Sequence, residues 1–244
     1  MILYGRNPVS EALLGRRAAS VGEVWATVGA AREPWLQGVE VKMSSAEEIE
    51  RRCGSAAHQG VCAHAGPYPY AGQVELLSGV DPLVVALDQV QDPQNLGSIC
   101  RTAECVGVAG VVIPERRAAE VTPAVCKASA GAVEHLRVAR VRNMADFLVE
   151  ARQAGCWCYG ASAEDSSAPA PPVPYDAPDY RGAGVVLVLG SEGAGLRPRV
   201  AKACDQLIAL PLRGRIESLG VSAAAAAILY EILQNRGRGL DNAS

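Results

Sequence analysis

No stretch of this chain reaches the roughly 18–20 consecutive apolar residues of a membrane-spanning helix. The opening Met1-Ile2-Leu3-Tyr4-Gly5-Arg6 lacks the charged flank and apolar core of a secretory signal. No G-x-G-x-x-G follows the first strand of an α/β unit, and no acid stands where a ribose would need one, which disfavours a dinucleotide-dependent oxidoreductase. The eight cysteines contain no C-x-x-C pair and are scattered through predicted helices and strands, so reduced, mostly buried thiols are expected rather than a disulfide framework. Cys53, His58, Cys62 and His64 match no usual zinc spacing, and no metal is expected. There is no internal repeat. A net charge of −3 argues against a wholesale nucleic-acid coat, though not against a local basic patch. These absences leave a soluble protein, expected in the cytoplasm and without a membrane partner.

What is present is apolar and α/β-patterned. With 244 residues, 49% of them hydrophobic, the chain holds enough material for a large core. Residues 1–65 read as a small α/β domain. Asn7 is placed to cap a helix with Pro8 in its first position, Val24–Val28 reads as a strand, Ser44-x-x-Glu47 as a capping box, and residues 60–63 as a last strand. The proline- and glycine-rich stretch 66–80 reads as a linker. From 81 to 244 strands and helices alternate, with strands expected at 83–87, 108–113, 138–141, 156–160, 185–189 and 207–210. Helices are expected at 95–106, 122–132, 143–154, 195–203 and 218–235. That order predicts an α/β fold with a mainly parallel sheet flanked by helices. The prolines between Ser166 and Asp179 exclude helix and central strand there, and residues 235–244 read as a polar tail.

Three segments carry the chemistry. The unalternated run Val185–Leu189 suits a strand buried on both faces, and it feeds Gly190-Ser191-Glu192-Gly193-Ala194-Gly195-Leu196, whose glycines permit close backbone approach to a ligand. Leu87-Asp88 leaves an earlier strand, turns at Asp92-Pro93, and enters a helix bearing Asn95 and Arg101. Leu207–Leu212 leads through Arg213–Glu217 into Ser218-Leu219-Gly220-Val221-Ser222 and an alanine-rich helix suited to tight packing. Basic residues gather on these stretches: residues 92–142 hold seven Lys/Arg against five Asp/Glu, and 185–215 five against two, whereas 143–184 hold two against six.

Together, N-x-G-x-x-x-R at 95–101, G-S-E-G-x-G-L at 190–196, and I-x-L-P-L with S-L-x-V-S-x-A at 208–223 resemble the three motifs of the SpoU/TrmH RNA ribose 2′-O-methyltransferases of the SPOUT superfamily. Tyr4–Leu13 and His58-Gln59-Gly60-Val61 are similar to the small N-terminal substrate-binding domain of the branch that includes the bacterial 23S rRNA guanosine methyltransferase. The resemblance implies a C-terminal deep trefoil knot, a homodimer with the active site near the subunit interface, and S-adenosylmethionine as cofactor, leaving as S-adenosylhomocysteine. It places the cofactor on Leu189, Gly190, Ile208, Leu210, Ser218, Leu219 and Ser222. It points to Arg101 as the residue acting on the ribose hydroxyl, with Asn95 and Glu192 arranging the site. Candidate contacts to RNA phosphates are Arg6, Arg116, Arg117, Arg137, Arg197, Arg199, Arg213 and Arg215. The expected substrate is structured RNA, rRNA in preference to tRNA. One position departs from the pattern: Gly220 stands where the family usually has Asn. That departure keeps a second reading open, a catalytically impaired RNA-binding or ribosome-assembly protein on the same scaffold.

Overall fold

The computed structural model describes residues 1–162, 171–191, 193–216 and 218–237. The first part of the chain runs β1 (Ile2–Tyr4), α1 (Arg6–Leu14), β2 (Val21–Ala26), β3 (Val41–Met43), α2 (Ala46–Cys53) and β4 (Val61–Ala65), and its four strands form one sheet in the order β1-β4-β2-β3. β4 is antiparallel to both β1 and β2, while β3 is parallel to β2.

Two helix starts differ from the sequence expectation. α1 begins at Arg6, with Gly5 at φ 94° as its cap, so Asn7 lies inside the first turn. The Gln59 side chain accepts a hydrogen bond from the Arg6 N–H at 3.1 Å, so a distant loop satisfies an amide that a capping side chain would otherwise serve. In α2 the cap is Ser45, which accepts from the Glu48 N–H. Ser44 is instead held by the ladder, its N–H donating to the Ala26 carbonyl.

The remainder runs α3 (Gln73–Leu77), β5 (Leu83–Asp88), α4 (Pro93–Cys105), β6 (Gly110–Pro114), α5 (Pro123–Ala128), β7 (Val138–Val141), α6 (Met144–Gln153), β8 (Cys156–Ala161), β9 (Val173–Pro174), β10 (Gly184–Gly190), α7 (Pro198–Ala203), β11 (Gln206–Ala209) and α8 (Val221–Gly237). The seven strands form a sheet of order β7-β6-β5-β10-β8-β11-β9, and every pairing in it is parallel. Both faces are covered, as the unalternated strands require. Val185, Leu187 and Leu189 join one apolar cluster with residues of α4 and α8, whereas Val186 and Val188 join another with residues of α6 and α7.

Stretch 66–80, expected as a linker, connects the two sheets and is itself packed. The buried Tyr68 hydroxyl lies 2.9 and 2.8 Å from the carbonyls of Val133 and Leu136. Leu76 of α3 is fully buried in the cluster beneath the large sheet. Three further helices are shorter than expected. α5 ends at Ala128 because Ala130 and Gly131 take left-handed backbone, and a short 3-10 turn follows at Ala132–Glu134. α7 begins only at Pro198 because Ser191 and Gly195 exchange two backbone hydrogen bonds in a tight turn. α8 begins at Val221, after Gly220 at φ 77°. The proline-rich segment contributes β9, a two-residue strand at the sheet edge, and its part before residue 171 lies outside the described residues.

Candidate active site and its relatives

In an all-parallel sheet every strand ends on the same edge, and ligands bind in crevices along that edge. Here the edge brings together the turn after β10, the loop after β11 and the entry into α4. β5 and β10 are adjacent with Gly190 opposite Asp88, and β8 lies between β10 and β11. The two glycine-bearing loops therefore flank the carboxyl end of β8.

The turn after β10 is closed so tightly that residue 190 must be glycine. A Cβ there would stand 2.2 Å from the Gly195 carbonyl carbon and 2.5 Å from the Leu196 N. Leu196 in turn reaches down over β8, where a Cβ at Gly160 would meet its Cδ1 at 2.8 Å. The turn is anchored from below by Asp88, wholly buried at the end of β5. Its carboxylate accepts from the Arg197 N–H at 2.9 Å, from Nε at 2.8 Å and from Nη2 at 2.6 Å. Asp88 was not singled out from the sequence. The signal was there: an acid directly following a buried apolar strand needs a partner.

The expected cofactor residues divide by burial. Leu189 and Ile208 are buried at the strand ends, while Gly190, Leu210 and Ser222 are half-buried. Ser218 and Leu219 are exposed on the loop into α8, Leu219 at 52% and its neighbour Ile216 at 76%. Apolar side chains left open beside a backbone cradle suit a flat, partly apolar ligand such as an adenosyl group. Gly220 is accounted for by its φ of 77°, a left-handed backbone that Gly and Asn adopt more readily than other residues. The Gly220 carbonyl accepts the first helical hydrogen bond of α8 from the Ala224 N–H.

Of the residues assigned to catalysis, Asn95 is half-buried in the first turn of α4, and Glu192 lies outside the described residues. Arg101 is exposed on the same helix, about 9 Å further along its axis at 1.5 Å per residue. It lines a groove of about 380 Å³ together with Asn7 and Glu11 of α1, Glu104, and Ser129 and His135 from the segment around α5. The structure thus sets Arg101 against the small sheet's helix.

The expected phosphate contacts are dispersed. Arg116 and Arg117 follow β6, and Arg213 and Arg215 follow β11; all four are exposed at the carboxyl edge. Arg137 precedes β7 and so sits at the opposite edge. Arg6 pairs with Glu33 at 2.7 Å and Arg199 with Asp146 at 3.0 Å, exposed contacts that hold an arginine only weakly. Arg197 differs from the others in that its guanidinium, 43% exposed, is hydrogen-bonded to the buried Asp88. Among the described residues no group of three or more His, Cys, Asp or Glu is arranged to hold a metal.

The SpoU rRNA methylase family profile matches residues 82–230, which is more than half of the chain. The chain belongs to the SpoU rRNA methylase family. A second profile, for RNA 2′-O ribose methyltransferase substrate binding, matches residues 2–71. A Bacillus subtilis (strain 168) protein assigned to the TrmH family of tRNA/rRNA methyltransferases is 39% identical over 209 residues, 82% of this chain and 79% of the relative. Among solved structures, the AdoMet-bound rRNA methyltransferase of Sinorhizobium meliloti superposes with a TM-score of 0.78 at 26% identity, covering 96% of this chain and 86% of that one. The SpoU methyltransferase AviRb of Streptomyces viridochromogenes shares the fold with a TM-score of 0.78 at 24% identity, over 98% of this chain and 90% of its own. Within the SpoU family, then, this chain pairs a parallel α/β sheet with a smaller unit that matches the substrate-binding profile.

Proposed function

We propose that this SpoU family methyltransferase methylates a ribose 2′-hydroxyl of structured RNA, with 23S rRNA guanosine as the target and S-adenosylmethionine as donor, in the cytoplasm. The observation that carries the reading is the joint match of both units, catalytic and substrate-binding, on a sheet whose glycine turns share one edge. Leu189, Gly190, Ile208, Leu210, Ser218, Leu219 and Ser222 are the residues that would hold the cofactor, which when bound supplies an electrophilic methyl group. The narrow turn at Gly190 and the open Leu219 side chain fit that role.

Arg101 acts on the acceptor. A guanidinium offers five N–H donors and no acceptor, so its contribution is electrostatic. It binds the phosphate beside the target ribose and stabilises the negative charge developing on the 2′-oxygen. Asn95 and Glu192 arrange the site around it. The strand order, with β10 inserted between β5 and β8 and β11 laid beyond β8, supports a deep trefoil knot in this half.

We assign the working form as a homodimer. Ala223, Ala227, Tyr230 and Leu233 leave one exposed, mostly apolar face on α8, and α8 packs against α4, which carries Arg101. Apposing that face on a second copy lets Arg101 approach the loops of the neighbouring subunit.

Mass-spectrometric mapping of ribose methylation in total RNA, with and without the gene, tests the substrate. Loss of one guanosine 2′-O-methylation in 23S rRNA is the expected result; loss from tRNA alone would move the target, and an unchanged map would overturn the activity. Calorimetric titration with S-adenosylmethionine separates the enzyme from a binding protein that has lost methyl transfer, for which no binding heat is expected.

A further inference from the structure

The groove that holds Arg101 has one wall supplied by the small sheet's helix, and that wall is closely packed. Glu11 of α1 meets the His135 Nε2 at 2.7 Å across the two units. Gly131, at φ 88°, packs so closely that a Cβ there would stand 2.6 Å from the Glu11 Cγ and 3.0 Å from the Asn7 carbonyl. Gln59 ties the same junction by accepting from the Arg6 N–H and from the Lys127 Nζ at 2.9 Å.

The groove sets one cation among carboxylates from both helices. Arg101 attracts a phosphate, whereas the carboxylates of Glu11 and Glu104 repel one and only accept hydrogen bonds. The part of a nucleotide that suits them is a base edge bearing donors. Guanine presents two adjacent donors, N1–H and N2–H, on its Watson–Crick edge. Adenine, cytosine and uracil each offer a donor beside an acceptor. Single-stranded RNA bases are commonly read along that edge. The groove's volume of about 380 Å³ lies within the range of small-ligand pockets.

We propose that Glu11, held in place by His135, is a specificity-determining residue of the acceptor site and reads the donor edge of the target base while Arg101 engages its backbone. This rests on the proposed acceptor role of Arg101. Glu11 would act as reader and His135 as a positioning residue.

The test uses the full chain and four fluorescein-labelled nonauridylates differing only in a central A, C, G or U, followed by anisotropy. Unmodified protein should bind the central-G oligomer about tenfold more tightly than the central-A oligomer, in line with a bidentate base contact. Glu11→Gln exchanges an acceptor pair for a donor and an acceptor, and should move the preference towards A with all-U affinity unchanged. His135→Gln should reduce the G preference severalfold. Arg101→Ala should weaken all four oligomers alike. Equal affinity for all four in the unmodified protein, or an undiminished G preference in Glu11→Gln, would overturn the inference. Because the readout is binding, it separates from the proposed activity: a mapped methylation without base preference sinks the base site alone, and base preference without any methylation sinks the activity alone.

Discussion

The Asp88 carboxylate, buried at the end of β5, accepts three hydrogen bonds from Arg197, a residue that follows the glycine turn after β10. Two of them come from the guanidinium and one from the backbone, so the pair sets both the position of the turn and the direction in which the chain leaves it. Asp88→Ala should cost roughly 1.5–3 kcal/mol, the range for hydrogen bonds to charged groups, rather than the larger penalty of a fully buried pair. The reason is that the Arg197 side chain is 43% exposed and regains water. Thermal melts should show the loss, and S-adenosylmethionine affinity should fall with it, because the cradle at Gly190 loses its anchor.

Arg17 and Glu134 form the corresponding lock between the two units. Their side chains are 2% and 0% exposed, with Nε–Oε2 at 2.7 Å and Nη2–Oε1 at 2.5 Å. Removing one partner strands the other charge in the core, so Arg17→Met should cost about 3–5 kcal/mol in urea titrations. Arg17→Met with Glu134→Leu should recover much of that loss, since replacing both charges by apolar groups is often neutral. A double variant as unstable as the single would show that the pair's other contacts dominate. One of these is the Arg17 Nη1 donation to the Gly66 carbonyl at 3.2 Å.

Thiol chemistry should be selective. None of the eight cysteines is in a disulfide, and Cys105 alone is exposed. Burial pushes the thiols of Cys100, Cys126 and Cys204 up to about 12 and that of Cys62 to about 11, keeping them neutral and unreactive at pH 7.5. Iodoacetamide followed by peptide mapping should therefore modify Cys105 rapidly and leave Cys62, Cys100, Cys126 and Cys204 unmodified. The same shifts set a stability profile. Folded-state values above the unfolded value of about 8.5 make no difference below that pH, and stability falls as pH rises from about 9 towards 12, where the unfolded chain releases protons first. Melting temperatures between pH 7 and 11 would reveal the decline.

Gly220 offers a sharp backbone test. Gly220→Asn should leave the melting temperature nearly unchanged and preserve cofactor binding, because Asn tolerates the φ of 77°. Gly220→Val should lose roughly 1–3 kcal/mol and displace the start of α8. Equal stability of the two variants would mean that left-handed backbone is not what selects the residue here.

Six strands of the large sheet were legible because each is a local apolar run: 138–141 coincides with β7, and β5, β6, β8, β10 and β11 differ by a residue or two at their ends. Helix starts were less legible wherever a distant group replaces the local cap, as Gln59 does at Arg6. The short β1, β3, β9 and α3 were not anticipated, since segments of two to five residues carry little periodicity. In the site, the three motifs announced which loops matter, whereas the commitment of Arg197 to Asp88 and the wide separation of Arg137 needed coordinates.

Linear patterning was enough for the alternation of strand and helix, the parallel class and the family, because hydrophobic runs, glycine turns and short motifs are properties of neighbouring residues. The pairing of Arg17 with Glu134, 117 positions away, and the groove that joins Glu11 to Arg101 came only from the folded arrangement. Charges with no nearby partner in the chain acquire one through packing, and burial then makes that choice energetically binding.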